Sequence, residues 1–415
     1  MKYFFVSIFV LVSFFTYAQS GNSPYSRLGL GDLSDRNSLY NMTTGTFGIS
    51  YANPLFVNIG NPALLPNYKL TGFDAALYAD YKTLDKQNTR QRNQGGNLAY
   101  AALVFPIHKK ASMSLSFQPY STVNYQDNVE EKLPNSPNFV QYIYRGVGGI
   151  SQASLGFGIE VYKNLSVGIQ SSINFGSIRN ESKSLIDDPT QLYLIELLNR
   201  TNFLDFSHRL GIAYKINLGA KDKLNIGIQQ DLSTNWSLSS YKAVQRKTIT
   251  DVTIRADTLR YDESLSMQLP AASSFGISLS RDFSYAVMLE YQMQNWQNFK
   301  SINPNDIFAN SFKVGFGGEW TPNFNSINNY LARINYRLGV SYQKTPYVVK
   351  GTQLEDYRIH AGLSLPMNRS LSSLNLGFQA GRRGVMDNGL IRETYYKVFL
   401  GLTINDRWFQ KRKIY

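Results

Sequence analysis

The chain has 415 residues, no cysteine and a formal net charge of +13, which excludes disulfides, thiolate metal sites, cysteine nucleophiles and a lipid-modified N-terminal cysteine. Aromatic residues reach 14% (28 Tyr, 25 Phe, 4 Trp) while charged residues reach only 17%, against roughly 25% in an ordinary soluble protein. The Lys and Arg are scattered rather than clustered, which argues against nucleic acid and for a solvated rim facing outer-membrane lipid and lipopolysaccharide.

Residues 1–18 read as a secretory signal. Lys2 gives a positive start, Tyr3 to Tyr17 is apolar, and Thr16-Tyr17-Ala18 places small residues where a signal peptidase cuts, so the mature chain is expected to begin near Gln19. No later apolar run approaches the ~20 residues of a membrane-spanning helix; Ala99 to Ile107 is typical.

Residues 19–68 show no strand alternation. Turn formers punctuate them (Asn53-Pro54, Asn61-Pro62-Ala63), yet Phe47, Ile49, Leu55, Phe56, Val57, Leu64 and Leu65 are too apolar for a free tail. Such a segment needs an enclosed space, and the expectation is a plug entering a barrel lumen from the periplasmic side.

From residue 69 to 415 the sequence alternates with period two. In Asn164 to Gly176, Leu165, Val167, Ile169, Ile173 and Phe175 face one way and Ser166, Gln170, Ser172 and Asn174 the other. Strands are expected at 69–81, 97–107, 111–121, 149–161, 164–177, 206–218, 223–236, 271–281, 284–296, 311–320, 330–343, 356–366, 372–383 and 391–405. Their connections sort into short turns, such as Tyr162-Lys163 and Gly219 to Asp222, alternating with long polar stretches at 82–96, 122–148, 178–205, 237–270, 297–310 and 344–355. Short periplasmic turns and long outer loops characterise a transmembrane antiparallel β-barrel, here all-β with about fourteen strands. A soluble sandwich has no reason to sort its loops in this way. Trp408, Phe409 and Tyr415 give the chain an aromatic ending of the kind found on such barrels.

Several charges fall on the polar side of strands and are expected to face the lumen: Asp74, Lys215, Asp231, Glu290, Lys313, Glu319, Arg333, Arg337 and Lys397. On the lipid face at mid-depth an Arg or Lys would cost about 2–4 kcal/mol. They form either a charged constriction or an ion-pair network joining plug to wall; the mixture of signs favours the network. Pro119, near the end of the third strand, marks either a lateral gap or simply the strand's outer end, and the second is the simpler reading. Asp187-Asp188-Pro189 before Leu192, Ile195 and Leu198 reads as a helix start, giving a short amphipathic outer-loop helix.

Catalysis and cofactors are not expected. The histidines are His108, His208 and His360, and Ser207 beside His208 points to the opposite face of its strand. Glycines between 315 and 318 lie within a strand and have no phosphate-loop lysine after them. They are expected to relieve curvature or make room for the plug.

The plug carrying Asn61-Pro62-Ala63 before a fourteen-stranded barrel resembles the FadL-type outer-membrane transporters of hydrophobic compounds. That resemblance implies capture by outer loops, a ligand site in the lumen, release by plug movement, and a kinked third strand opening a lateral exit. The opening Ser23-Pro24-Tyr25-Ser26-Arg27 and the ending Trp408-Phe409 look like barrels of Bacteroidota, some of which serve protein export. Two functions are therefore expected: passive passage of hydrophobic small molecules, or a non-transporting scaffold in protein export or outer-membrane assembly.

Overall fold

Along Ala272–Arg281 the usual rule of burial is inverted. Ser274, Ser278 and Ser280 are at most 2% exposed, whereas Phe275, Ile277 and Leu279 are 39–45% exposed. In water that arrangement would forfeit roughly 25 cal/mol for each Å² of apolar surface left out. Facing hydrocarbon it forfeits nothing, and the polar side chains line a protein interior. The same inversion recurs around the sheet, at Leu155, Ile212 and Leu289.

The computed structural model describes residues 23–407 except 88, 135–136, 188–192, 298, 300, 302, 304 and 368–370. The barrel strands are β1 (Thr71–Lys86), β2 (Thr89–His108), β3 (Ala111–Lys132), β4 (Phe139–Tyr162), β5 (Leu165–Ile186) and β6 (Tyr193–Leu218). β7 runs over Asp222–Asp231 and on through Thr234–Thr248; β8 runs over Thr253–Leu269 and on through Ala272–Arg281. Then follow β9 (Tyr285–Gln294), β10 (Ser311–Trp320), β11 (Asn335–Val349), β12 (Thr352–Pro366), β13 (Ser373–Arg383) and β14 (Arg392–Asp406). Each pairs antiparallel with its neighbours, and β14 pairs with β1 from Arg392↔Asp85 to Asp406↔Thr71, closing a fourteen-stranded barrel.

Most expected outer loops prove to be strand. β4 has 24 residues and β6 has 26, where a spanning strand needs about 9–11. The surplus projects outward, so 178–186 with 193–205, and 237–248 with 253–269, form the upper parts of β5–β6 and β7–β8. β7 and β8 break together at Leu232-Ser233 and Pro270-Ala271, where proline has no N–H for the ladder. The expected capture helix is also corrected. Tyr193 onward is β-strand, with Ile195 46% exposed and Leu198 4% exposed; Leu192 lies outside the described residues.

Inside the barrel sits the segment before β1. It comprises a 3-10 turn at Pro24–Arg27, a two-residue strand Asp32–Leu33, the short helix α1 (Leu39–Thr44) and a 3-10 helix at Pro62–Asn67. It does more than enter from below. Ser23 N–H donates to Asn124 O (2.9 Å) high on β3, so the segment runs the height of the lumen. The signal region and the Trp408-Phe409-Tyr415 ending lie outside the described residues.

Candidate functional site

The lumen is the candidate site, and its lower half is built by backbone contact. Glycines replace side chains where the plug backbone presses directly on the wall. A Cβ at Gly227 would overlap the carbonyl oxygen of Ile49; at Gly317 and Gly339, that of Thr44; at Gly158, that of Pro62; at Gly211, the Asn61 side chain. These glycines face one another across neighbouring strands (Gly158↔Gly168, Gly168↔Gly211, Gly317↔Gly339), forming a girdle around the plug. Of the two roles expected for the glycines at 315–318, Gly315 and Gly317 make room for the plug, whereas a Cβ at Gly318 would meet the Ala286 carbonyl of the neighbouring strand.

Polar side chains of the wall then fasten the plug backbone. Glu290 accepts the N–H groups of Phe47 (2.6 Å), Ile49 (2.9 Å) and Ser50 (2.9 Å) and the Ser50 hydroxyl (2.9 Å). Asn61 caps its own helix by accepting Ala63 N–H (3.0 Å) and donates to Ile49 O (2.8 Å). The Asn61-Pro62-Ala63 segment is therefore buried against β4–β7, not poised in a channel. Asp74 accepts the Tyr100 hydroxyl at 2.7 Å. Arg337 lies over the rings of Tyr40 and Phe56, 5.4 Å from each centroid, which supplies cation–π attraction in place of ion pairing.

The upper half is an ion-pair collar. Arg383 binds Asp32 of the plug (2.6 Å), Glu393 (2.6 Å) and the Ser23 hydroxyl (3.0 Å). Asp35 of the plug is held by both Lys313 and Arg358. Arg36 and Arg209 share Asp231 at 3.1 and 2.6 Å. Lys397 stands over Tyr78 and Tyr395. Above the collar, Leu30, Phe203, Trp236, Leu238, Met267 and Trp296 pack into a buried apolar cluster at the outer mouth. The spaces among the described residues of the lumen are small, about 90 Å³ beside Arg36 and Lys313, about 70 Å³ beside Asp32 and Lys397 and about 30 Å³ beside Arg209 and Asp231.

Of the charges assigned to the lumen, Arg333 does not belong there. It sits in a 3-10 turn, Leu331–Arg333, on the periplasmic connection before β11, because the strand starts two residues later at Asn335. The collar partners Asp32, Asp35, Arg36, Arg358, Arg383 and Glu393 escaped sequence reasoning. Three charges within five residues, in a segment from 19 to 68 whose one other charge is Arg27, were the available signal.

Pro119 does not end its strand, which continues to Lys132. Pairing between β2 and β3 nevertheless stops at Ala101↔Phe117. Above that point β3 is bridged on this side by the plug's Asp32↔Thr122 and Leu33↔Ser121, leaving a seam in the wall. Ser207 accepts a hydrogen bond from Asn174 (2.9 Å), while His208 pairs with Ser171 (3.0 Å) on the next strand. No carboxylate completes that pair among the described residues.

A family model, BamG, matches residues 1–415. The chain belongs to the BamG family. No curated protein matches this BamG sequence. Solved structures similar to it include the Pseudomonas putida toluene transporter TodX, with TM-score 0.57 and 13% identity over 89% of the BamG chain and all of TodX. The Ralstonia pickettii toluene transporter TbuX gives 0.56 and 11% over 89% and 98%. The CymD monoaromatic hydrocarbon channel gives 0.53 and 15% over 92% and 99%. The plugged fourteen-stranded architecture of the FadL-type transporters is thus the fold of this BamG protein.

Proposed function

We propose that this protein is an outer-membrane barrel held shut by its plug, acting as a scaffold in protein export or outer-membrane assembly rather than as a conduit. One observation carries this reading. From the plug's lower face to the outer mouth the lumen is filled, and the spaces described there are small and lined by charge. An apolar ligand there would have to displace paired ions, and a site for such ligands is normally apolar and about 300–1,000 Å³. Strands extended far beyond the bilayer give a rigid outer wall on which partners can assemble.

Passage of hydrophobic or aromatic molecules is the second reading. It draws on the shared fold and on the seam beside Pro119, through which a molecule could leave sideways. Reconstitution separates the two. Proteoliposomes holding the purified barrel are expected to show no ion conductance and no uptake of labelled toluene or oleate above protein-free vesicles. Gentle solubilisation of outer membranes is expected to bring down a stoichiometric protein partner. Saturable uptake that a β2–β3 disulfide across the seam abolishes would establish transport instead.

A further inference from the structure

A different cavity lies beneath the plug, open to the periplasm, with a volume of about 360 Å³. That is large enough for a small-ligand site. Leu55 and Phe56 of the plug, Phe283 after β8, Phe324 and Ile327 of the 321–334 connection, and Leu371 supply its apolar walls. Phe283 and Phe324 stand 4.8 Å apart, and Phe283 and Leu371 remain 41% and 45% exposed. Aromatic surface left wet in an aqueous compartment gains by being covered.

Two polar groups give the cavity chemical direction. Asn335 donates from Nδ2 to Glu319 (2.5 Å) and to Thr321 (3.1 Å). Glu319 also receives the Tyr51 hydroxyl (3.1 Å) and the Asn53 amide (2.9 Å), so its surroundings consist of donors. The Asn335 amide must turn its NH₂ toward that carboxylate. Its Oδ1 is thereby buried without a partner, although Asn335 lines the cavity. Arg333 lines the same cavity, and its guanidinium has no ion pair among the described residues. Beside a rim of serine, threonine and asparagine side chains, the site therefore offers an unpartnered amide oxygen, one cation and aromatic walls.

The geometry points to a periplasmic binding site for the free C-terminal residue of a polypeptide ending in an aromatic side chain. The ring lies among Phe56, Phe283 and Phe324, the terminal residue's N–H donates to Asn335 Oδ1, and its carboxylate meets Arg333. A hydrocarbon would satisfy neither polar group. A fatty acid would leave Asn335 unsatisfied, and an internal peptide segment has no carboxylate for Arg333.

The test uses the full-length barrel in nanodiscs and a fluorescein-labelled hexapeptide ending in Phe with a free carboxylate. Fluorescence anisotropy is expected to show saturable binding. Amidation of the terminus, R333Q and F324A are each expected to weaken it about tenfold, the scale of a lost charge-assisted hydrogen bond or aromatic contact. R333K is expected to recover part of the loss. Heat-modifiable migration on gels reports that each variant is folded, and the two variants remove different kinds of contact, a charge and an aromatic ring, from the 321–334 connection. Absence of saturation, equal binding of the amidated peptide, or unchanged affinity in folded R333Q overturns the proposal. Displacement of the peptide by dodecanoate at lower concentration than by unlabelled peptide overturns it as well.

Discussion

The plug is held in two different ways. Below, from α1 to Asn67, its backbone presses on a girdle of glycines and its N–H groups are taken up by Glu290. Above, from Ser23 to Arg36, it meets the wall through the side chains of Asp32, Asp35 and Arg36. The first interface depends on shape and tolerates nothing larger than hydrogen. The second depends on paired charge. A segment meant to slide would need the second kind throughout; here the steric half fixes it, and the electrostatic half sets its orientation.

The sharpest way to break this contrast is to fill the girdle. Gly339→Leu places a side chain where the Thr44 carbonyl lies. The expected outcome is a barrel that still inserts, with a protease-sensitive plug and measurable ion conductance. Glu290→Leu comes next, since it strands three buried N–H groups. A loss on the order of 5 kcal/mol is expected in denaturant unfolding, from about 1–3 kcal/mol per unsatisfied group.

Asp35→Asn tests the upper half, leaving Lys313 and Arg358 without their shared carboxylate. The expected cost is roughly 3 kcal/mol, near the lower end for breaking a buried pair. Hydrogen exchange of the two plug halves should show the loss confined to the collar while the girdle stays intact.

The smallest effect belongs to the outer tip, where Asp251 meets Lys183 (2.9 Å) and Lys247 (3.2 Å). The hydrogen bond from Lys183, and then that from Lys247, hold its carboxyl below the usual range against the opposing effect of burial. A depressed carboxylate stabilises above its unfolded pKa of about 3.9, and that contribution is lost as pH falls through the folded value. Asp251→Asn should remove this acid dependence from hydrogen exchange at the 249–252 turn and leave exchange elsewhere unchanged.

The barrel was legible in the sequence because hydrocarbon outside and polar lumen inside enforce strict alternation, as at Leu165–Phe175. Above the membrane that enforcement ends. Thr253–Ser264 is exposed on nearly every residue, so β8 reads as a loop although its backbone is paired. Asp187-Asp188-Pro189 signalled a helix for the same reason: local propensity was judged where ladder pairing with β5 and β7 decides. Within the lumen, parity alone gave Glu290, Lys313 and Arg337 an inward direction but not their partners. It failed at Arg333 because the strand had not yet begun. Asn335 carried no sequence signal, since its unpaired oxygen exists only through Glu319 on the neighbouring strand.

The full-height plug also constrains the order of construction. Tyr25 hydrogen-bonds Ile391, and Ser23 hydrogen-bonds Glu393, just where the last strand joins the first. A folded plug wedged against Gly227 and Gly339 cannot be threaded into a finished cylinder of this bore. If the plug folds before the ring closes, the wall wraps around it and β14 shuts the ring only once the earliest residues are seated. The beginning of the chain is thus a mandrel for its end, and closure records that the interior is already complete.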